Sequence, residues 1–323
     1  WQNLNLIWRN SFRLAGKDVL IDFLCNNLGL IKDISGNDDL LLSSYDNLVK
    51  IKKDKAKLQN GVELLVNSPQ FGAAFESRFE LISGKEKGKA LKDLTELALS
   101  GILYYISQVL NHLIENDHFK KGVSKSLKIC LGGKASTLYK IVFEDSDEQE
   151  GLSKMIEKVT GGIFSSISVE FTNTPKHEVS YGLLVDQTGA TDLNIKERSH
   201  ETILGEDVVV GKTNIGIVSK LNVDSEWRIK DISQLKNFLK LLQAYSKIPV
   251  KLTKKFEGDL EGKINAELRN GQARALENAK NQQSIEGDDS IAELQKTSTI
   301  VEPVFIQGLK EIIHNITSGK IKI

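Results

Sequence analysis

Two adjacent glycines, Gly132 and Gly133, stand where a ligand could lie against bare backbone. The apolar stretch 126–131 before them is typical of a buried strand, and a helix is predicted to begin close to Ser136. A strand that runs through glycines into a helix presents free backbone amides, and glycine allows a flat ligand to approach the main chain. Because α/β sheets bind ligands at the carboxyl ends of their strands, this context is compatible with a nucleotide site. Adjacent glycines alone are a weak signal, since Gly161 and Gly162 form a second such pair.

A second glycine-containing segment, 205–213, looks like a phosphate-binding Walker loop but has the wrong length. Five residues separate Gly205 from Gly211, whereas the Walker spacing needs one residue fewer. Three of those residues are consecutive valines, which prefer a strand. The segment therefore predicts a plain β-hairpin.

The remaining chemically active residue types form no recognisable site. The two cysteines, Cys25 and Cys130, do not form a Cys-x-x-Cys pair, and no Gly-x-Ser-x-Gly elbow is present. No histidine pair has the spacing of metal ligands. The five histidines are His112, His118, His177, His200 and His314. We therefore predict neither a metal site nor a catalytic residue in this chain.

The elements that must position the glycines follow from hydrophobic periodicity. Alternation of predicted helices and strands between residues 90 and 185 indicates an α/β layered domain. The polar stretch 251–296 predicts long exposed helices or a mobile arm. Predicted helices are a lysine-rich one with a single apolar stripe at Tyr45–Gln59, then Ala90–Ile114, Ile232–Tyr245 and Pro303–Ile316. Predicted strands are Val62–Val66, Ser126–Leu131 and Ile163–Phe171.

Composition narrows the class of protein. The 323 residues carry 43 basic and 43 acidic side chains, a formal net charge of +0, which argues against nucleic acid or an anionic membrane as partner. No apolar run approaches the roughly 20 residues that a membrane span needs. The chain begins at Trp1 and its one methionine is Met155. We therefore expect a cytoplasmic protein cut out of a longer chain.

The segment 127–136, Leu-Lys-Ile-Cys-Leu-Gly-Gly-Lys-Ala-Ser, resembles the adenosine motif of the actin-like ATPase superfamily. That superfamily holds actins, bacterial filament-forming actins, the seventy-kilodalton heat-shock chaperones and sugar kinases. Segment 175–183 resembles the closing helix of the same domain, and segment 13–19 resembles its turn out of the second phosphate-binding hairpin. The resemblance implies an α/β, actin-like (ribonuclease H-like) lobe with a helical insertion subdomain, followed by an α+β C-terminal region.

The resemblance also implies a division of the chain and a ligand. Residues 1–187 would form the second lobe, with about 40–90 as the smaller insertion subdomain, and residues 188–323 an appended, mainly helical region. The implied ligand is ATP or ADP with magnesium. The residues that the resemblance places at the adenine nucleotide are Gly132, Gly133, Ser136, Lys134 at the rim, and Lys55 beside the base and ribose.

Several parts of the superfamily pattern are missing. The Asp-x-Gly-Thr phosphate loop, the connecting motif and the second phosphate loop would all lie before Trp1, so the magnesium contacts would come from that missing half. One alternative is therefore the nucleotide-binding half of an actin-like or chaperone-like ATPase, inactive by itself. The other is a non-catalytic structural or protein-interaction module, a filament subunit or scaffold, that uses the actin-like fold. Under either alternative we expect a protein partner or self-association through residues 188–323. A sugar kinase is a third option.

Overall fold

A computed structural model of the chain describes residues 17–115, 126–131, 143, 146–164, 166–171, 202–203, 208–210, 213–214, 218–219, 227–246, 248–286 and 303–321. Helices make up about three quarters of these residues. The protein is therefore built mainly by packing helix on helix, which requires an apolar stripe on each helix.

Five consecutive helices form the N-terminal part, and short turns join them. Three of these helices have polar N-caps. The side chains of Asp38, Asp54 and Ser68 accept hydrogen bonds from backbone amides in the first turn of the helix that each one caps. The helices are α1 (Lys17–Asn26), α2 (Leu28–Ser35), α3 (Asp39–Ile51), α4 (Lys55–Val66) and α5 (Pro69–Ser83).

Helix α6 (Glu86–Glu115), with 30 residues, packs against α1 and α5 and against later parts of the chain. Leu91, Leu94 and Leu103 are fully buried on it. Because apolar residues cover so much of its circumference, α6 is surrounded by other elements. The helix predicted at Ala90–Ile114 is confirmed.

A parallel pair of strands follows α6. Strand β1 (Ser126–Leu131) pairs with β2 (Ser166–Phe171) in a register that places Leu131 opposite Phe171. Helix α7 (Ser146–Val159) lies between them in sequence and packs against β2 and α6. Strand β1 is confirmed, and the strand predicted at Ile163–Phe171 begins three residues later than expected.

Short antiparallel strands make up the next part of the described chain. They are β3 (Thr202–Ile203), β4 (Val208–Val210), β5 (Thr213–Asn214), β6 (Val218–Ser219) and β7 (Trp227–Ile229). Strand β3 pairs with β6, and β4 lies between β5 and β7. Val210 of β4 pairs with Thr213 of β5 in antiparallel register. The plain β-hairpin predicted in place of a Walker loop is therefore confirmed.

Three helices complete the described fold: α8 (Ser233–Tyr245), α9 (Lys254–Glu286) and α10 (Val304–Thr317). Helix α10 packs against α1, α6, α8 and α9. A Cβ on Gly101 of α6 would overlap the side chain of Leu309 of α10, so glycine permits this close approach. The helices predicted at Ile232–Tyr245 and Pro303–Ile316 are confirmed, and the polar stretch from residue 254 to 286 is one long helix.

Four aromatic rings join α6, α8 and α10. The ring of Phe305 lies 5.1 Å from Tyr104, 5.9 Å from Tyr105 and 5.6 Å from Phe238. Burial raises the pKa of Tyr105 well above its ordinary value. We call Tyr104, Tyr105, Phe238 and Phe305 the aromatic cluster. Helices from both sides of residue 187 thus share one core, while the division of domains at that residue stays a prediction.

The predicted actin-like α/β lobe is wrong. Among the described residues, parallel strand pairing is limited to β1 and β2, and helices dominate. One reason is visible in α4, where a strand was predicted at Val62–Val66. Leu58, Val62 and Leu65 are buried there at helical spacing, so packing on one face outweighs the β preference of valine. The lysine-rich helix predicted at Tyr45–Gln59 is two helices, because Asp54 caps a new one.

Candidate functional site

Four of the residues predicted to contact a nucleotide follow β1, one strand of the parallel pair, in sequence. Gly132 directly follows Leu131, the last residue of β1, and Thr172 directly follows Phe171, the last residue of β2. The parallel register brings these two carboxyl ends to the same edge. Four predicted contact residues, Gly132, Gly133, Lys134 and Ser136, lie outside the described residues. Their contact with a nucleotide stays a prediction.

The fifth predicted contact residue, Lys55, lies on a different part of the fold. It is the first residue of α4 and is exposed. Helix α4 packs against α1, α3 and α5. The described neighbours of Lys55 are therefore helices of the N-terminal part. That Lys55 contacts the same nucleotide as Gly132 and Gly133 also stays a prediction.

Helices α3 and α4 enclose an open groove of about 470 Å³, which we call the α3–α4 groove. Its walls are mainly leucine and isoleucine from the two helices, and Ser68 and Gln70 contribute polar groups from the start of α5. The apolar lining consists of Leu40, Leu41, Leu48 and Ile51 from α3 with Gly61, Leu64 and Leu65 from α4. A groove of this size falls in the range of natural binding pockets.

The floor and the rim of the α3–α4 groove differ in exposure. Leu41, Leu48 and Leu65 belong to the buried core, whereas Leu40 is 71% and Leu64 is 74% exposed. A Cβ on Gly61 would lie 2.7 Å from Cδ2 of Leu48, so glycine allows α4 to approach α3 at this level. The result is an apolar hollow with one protruding leucine on each wall.

Charged groups are segregated along the α3–α4 hairpin. Lysines cluster at the turn, and two aspartates, Asp38 and Asp39, mark the opposite end of α3. Lys57 Nζ lies 3.2 Å from Asp54 Oδ2, and Lys50 Nζ donates to Asn47 Oδ1 at 3.4 Å. The exposed lysines of this basic end are Lys50, Lys52, Lys53, Lys55 and Lys57.

A second hollow, of about 420 Å³, lies where α7 meets the end of α8. Gly161 and Gly162, with φ of 64° and 73°, turn the chain out of α7 beside it. Lys154 contributes a charge, but its Nζ is 2.6 Å from Glu150 Oε1, and the pKa of Lys154 is raised by that contact. The Lys154 charge is therefore already paired, and Glu157 and Lys158 are the other charged residues that line this hollow.

The α3–α4 groove was not foreseen, although the sequence contains a signal for it. Leu40, Leu41 and Leu42 are consecutive, and successive residues on an α-helix point about 100° apart. Three consecutive leucines therefore cannot all face one core. The lysines around residue 52 instead indicate a solvated helix face with one apolar stripe.

Comparisons of the chain with known protein families, with curated proteins and with solved structures find no match. The resemblance to the actin-like superfamily therefore rests on the quoted motifs alone and stays a prediction. Within the described part of the chain, no group of His, Cys, Asp or Glu residues is arranged to hold a metal ion. In the same part, every helix is too short or too polar to cross a bilayer.

Proposed function

We propose that this chain is a non-catalytic protein-interaction module whose binding surface is the α3–α4 groove. The observation that carries the proposal is the pair of exposed leucines, Leu40 and Leu64, on facing walls of an apolar hollow. Isolated exposed leucines are common, but a contiguous apolar groove between helices is typical of a surface that receives an amphipathic helix.

The composition of the groove favours binding over catalysis. Its polar lining residues are Ser44, Asn47, Ser68 and Gln70. None of these titrates near neutral pH, so the lining offers no general acid or base. Hydroxyl and amide groups at the edge of an apolar hollow can orient a partner, and the groove walls supply the apolar contact.

The two rim leucines provide enough apolar surface to matter for affinity. Fully burying a leucine side chain contributes about 2 kcal/mol, and both side chains are mostly exposed in the free chain. The neighbouring lysines contribute less to affinity, because exposed charges act mainly on orientation and on the rate of association. Leu40 and Leu64 are thus the expected anchors.

A photo-crosslinking residue at position 64, in the cells that produce the protein, tests the proposal. A defined adduct should form at Leu64 and should disappear when Leu40→Glu is added on the opposite wall. Leu81 of α5 is the matched control, since it is 65% exposed but does not line the α3–α4 groove. Equal crosslinking at positions 64 and 81, or none at 64, would overturn the proposed function.

A second candidate function is adenine nucleotide binding at the carboxyl edge of β1 and β2. The parallel register supports it, because Gly132 and Thr172 follow paired strand ends. Titration of the full chain with Mg-ATP or Mg-ADP should then raise its melting temperature, and Gly133→Val should remove that rise. A melting temperature that neither nucleotide changes would exclude this candidate.

A further inference from the structure

We infer that the partner held in the α3–α4 groove is the same groove of a second copy of this chain, arranged antiparallel about a two-fold axis. This inference rests on the proposed function and names the occupant of its surface. A two-fold contact uses one patch twice, so the patch must complement itself in shape and in charge.

The shape of the patch meets that requirement. It contains a hollow, floored by Leu41, Leu48 and Leu65, and a ridge, formed by Leu64, on the same surface. In a two-fold arrangement the Leu64 side chain of each copy enters the hollow of the other. Each copy then covers the apolar surface that the other leaves exposed.

The charges of the patch also meet the requirement that it complement itself. Residues 38–66, which form the hairpin, contain five lysines, four aspartates and one glutamate, so its formal net charge is zero. Most of the charges are nevertheless separated, since Asp38 and Asp39 lie at one end of α3 and the lysines lie at and beyond the other. Asp46 lies within α3, and Asp54, at the lysine end, is paired with Lys57. Helix α3 has 13 residues, a length of about 20 Å that exceeds the Debye length of about 8 Å at physiological salt. The two ends are therefore electrostatically distinct.

Antiparallel pairing places the aspartate end of one copy beside the lysine end of the other. An acidic partner helix would be attracted to Lys52 and Lys53 but repelled by Asp38 and Asp39, and a basic helix would meet the opposite conflict. Complementary potentials select partners and fix their orientation. A second copy satisfies both ends of the hairpin at once.

Sedimentation equilibrium of the full chain over a wide concentration range is the first measurement. We expect a reversible monomer–dimer equilibrium in which Leu64→Glu raises the dissociation constant by more than about tenfold, because two charged groups enter the apolar hollows. Leu81→Glu, an equally drastic change at an exposed leucine outside the groove, should leave that constant unchanged. Circular dichroism and urea unfolding check that both variants remain folded. We expect them to fold, because both leucine side chains are exposed in the free chain.

A charge exchange tests the antiparallel arrangement. Asp39→Lys alone and Lys52→Asp alone should each weaken the dimer, since each places like charges together in two symmetry-related positions. The double variant should recover dimerisation towards that of the unchanged chain. A double variant weaker than both single ones would overturn the antiparallel arrangement.

The results separate this inference from the proposed function. A chain that is monomeric at every concentration, or a dimer that Leu64→Glu leaves intact, overturns the second copy as occupant. If the crosslink at Leu64 then joins a different protein, the interaction function survives without self-association. If no crosslink forms at Leu64, both the proposed interaction function and the second copy as its occupant are overturned.

Discussion

At the scale of single residues, two helical glycines differ in how closely their neighbours pack against them. Gly88, in the first turn of α6, is buried against the backbone carbonyl of Ile82, and an added Cβ would overlap that carbonyl. Gly72 on α5 is exposed and has open space where its Cβ would lie. One glycine is thus required by packing, and the other weakens its helix without any packing benefit.

We predict that Gly88→Ala lowers the free energy of unfolding by about 1–3 kcal/mol, since the overlap involves backbone that has little room to move. Gly72→Ala is the matched change and should raise it by about 0.5–1 kcal/mol through reduced backbone freedom in the unfolded chain. Urea unfolding of both variants measures the two effects. Equal effects of the two changes would contradict the packing described at Gly88.

The two cysteines should differ in reactivity. Burial, and after it the charge of Asp22, raises the pKa of the Cys25 thiol to about 11. Cys130 is exposed on β1. Because the thiolate is the nucleophile, iodoacetamide near pH 8 should modify Cys25 at least about tenfold more slowly than Cys130. Mass spectrometry of the modified chain over time gives both rates, and denatured protein provides the control in which the difference should vanish.

The same shift has a consequence for stability. The folded chain holds the Cys25 proton more tightly than the unfolded chain, whose thiol has the ordinary pKa of 9.0. The stabilising contribution is therefore fully present below pH 9 and is lost as the pH rises towards 11. Replacement by Ser, whose hydroxyl does not titrate in this range, should remove this part of the pH dependence.

At the scale of elements, the boundary between α3 and α4 depends on one side chain. Asp54 Oδ1 accepts a hydrogen bond from the Lys57 amide at 3.1 Å. Asp54→Ala should lower the free energy of unfolding by about 1 kcal/mol, because that amide loses its acceptor. Asp54→Asn keeps a side-chain oxygen at the cap and should cost less. Thermal unfolding compares the two, and an equally large loss for Asn would show that charge, not capping, stabilises this turn.

Several helices could be predicted from the sequence because their apolar residues repeat at helical spacing over many turns. Helix α6 and helix α8 are of this kind, and their bounds lie within a few residues of those predicted. Val62–Val66 was mistaken for a strand, since five residues are too few to distinguish the two periods. The consecutive leucines at 40–42 indicate that one of them lies outside the core, but the α3–α4 groove also depends on which face of α4 meets α3, and helical periodicity alone does not determine that contact.

At the scale of the whole molecule, the aromatic cluster joins helices from distant parts of the chain, so the stability of each helix depends on the others. Phe305 is 1% exposed and touches rings from α6 and α8. Phe305→Ala should lower the free energy of unfolding by about 3–5 kcal/mol, through lost apolar contact and the cavity left behind. If residues 188–323 were an independent appendage, the loss would appear in a separate transition.

We expect instead one cooperative transition shifted to lower temperature, because helices on both sides of residue 187 share this core. Differential scanning calorimetry distinguishes one transition from two. Leu81→Ala serves as control, since its side chain is 65% exposed and its removal should change stability by less than about 0.5 kcal/mol. An unshifted first transition in Phe305→Ala would support separate domains.

The position of Phe305 also affects how the chain is made. Tyr104 and Phe305 stand about 200 residues apart in sequence, yet their rings are in contact. At about 5–20 residues per second, a ribosome needs roughly 10–40 s to synthesise the chain between them. During that interval the apolar face of α6 has emerged without α10 to cover it. Synthesis of this protein therefore includes a period in which the nascent chain exposes its own core, and in which a chaperone or the neighbouring helices must shield it from aggregation.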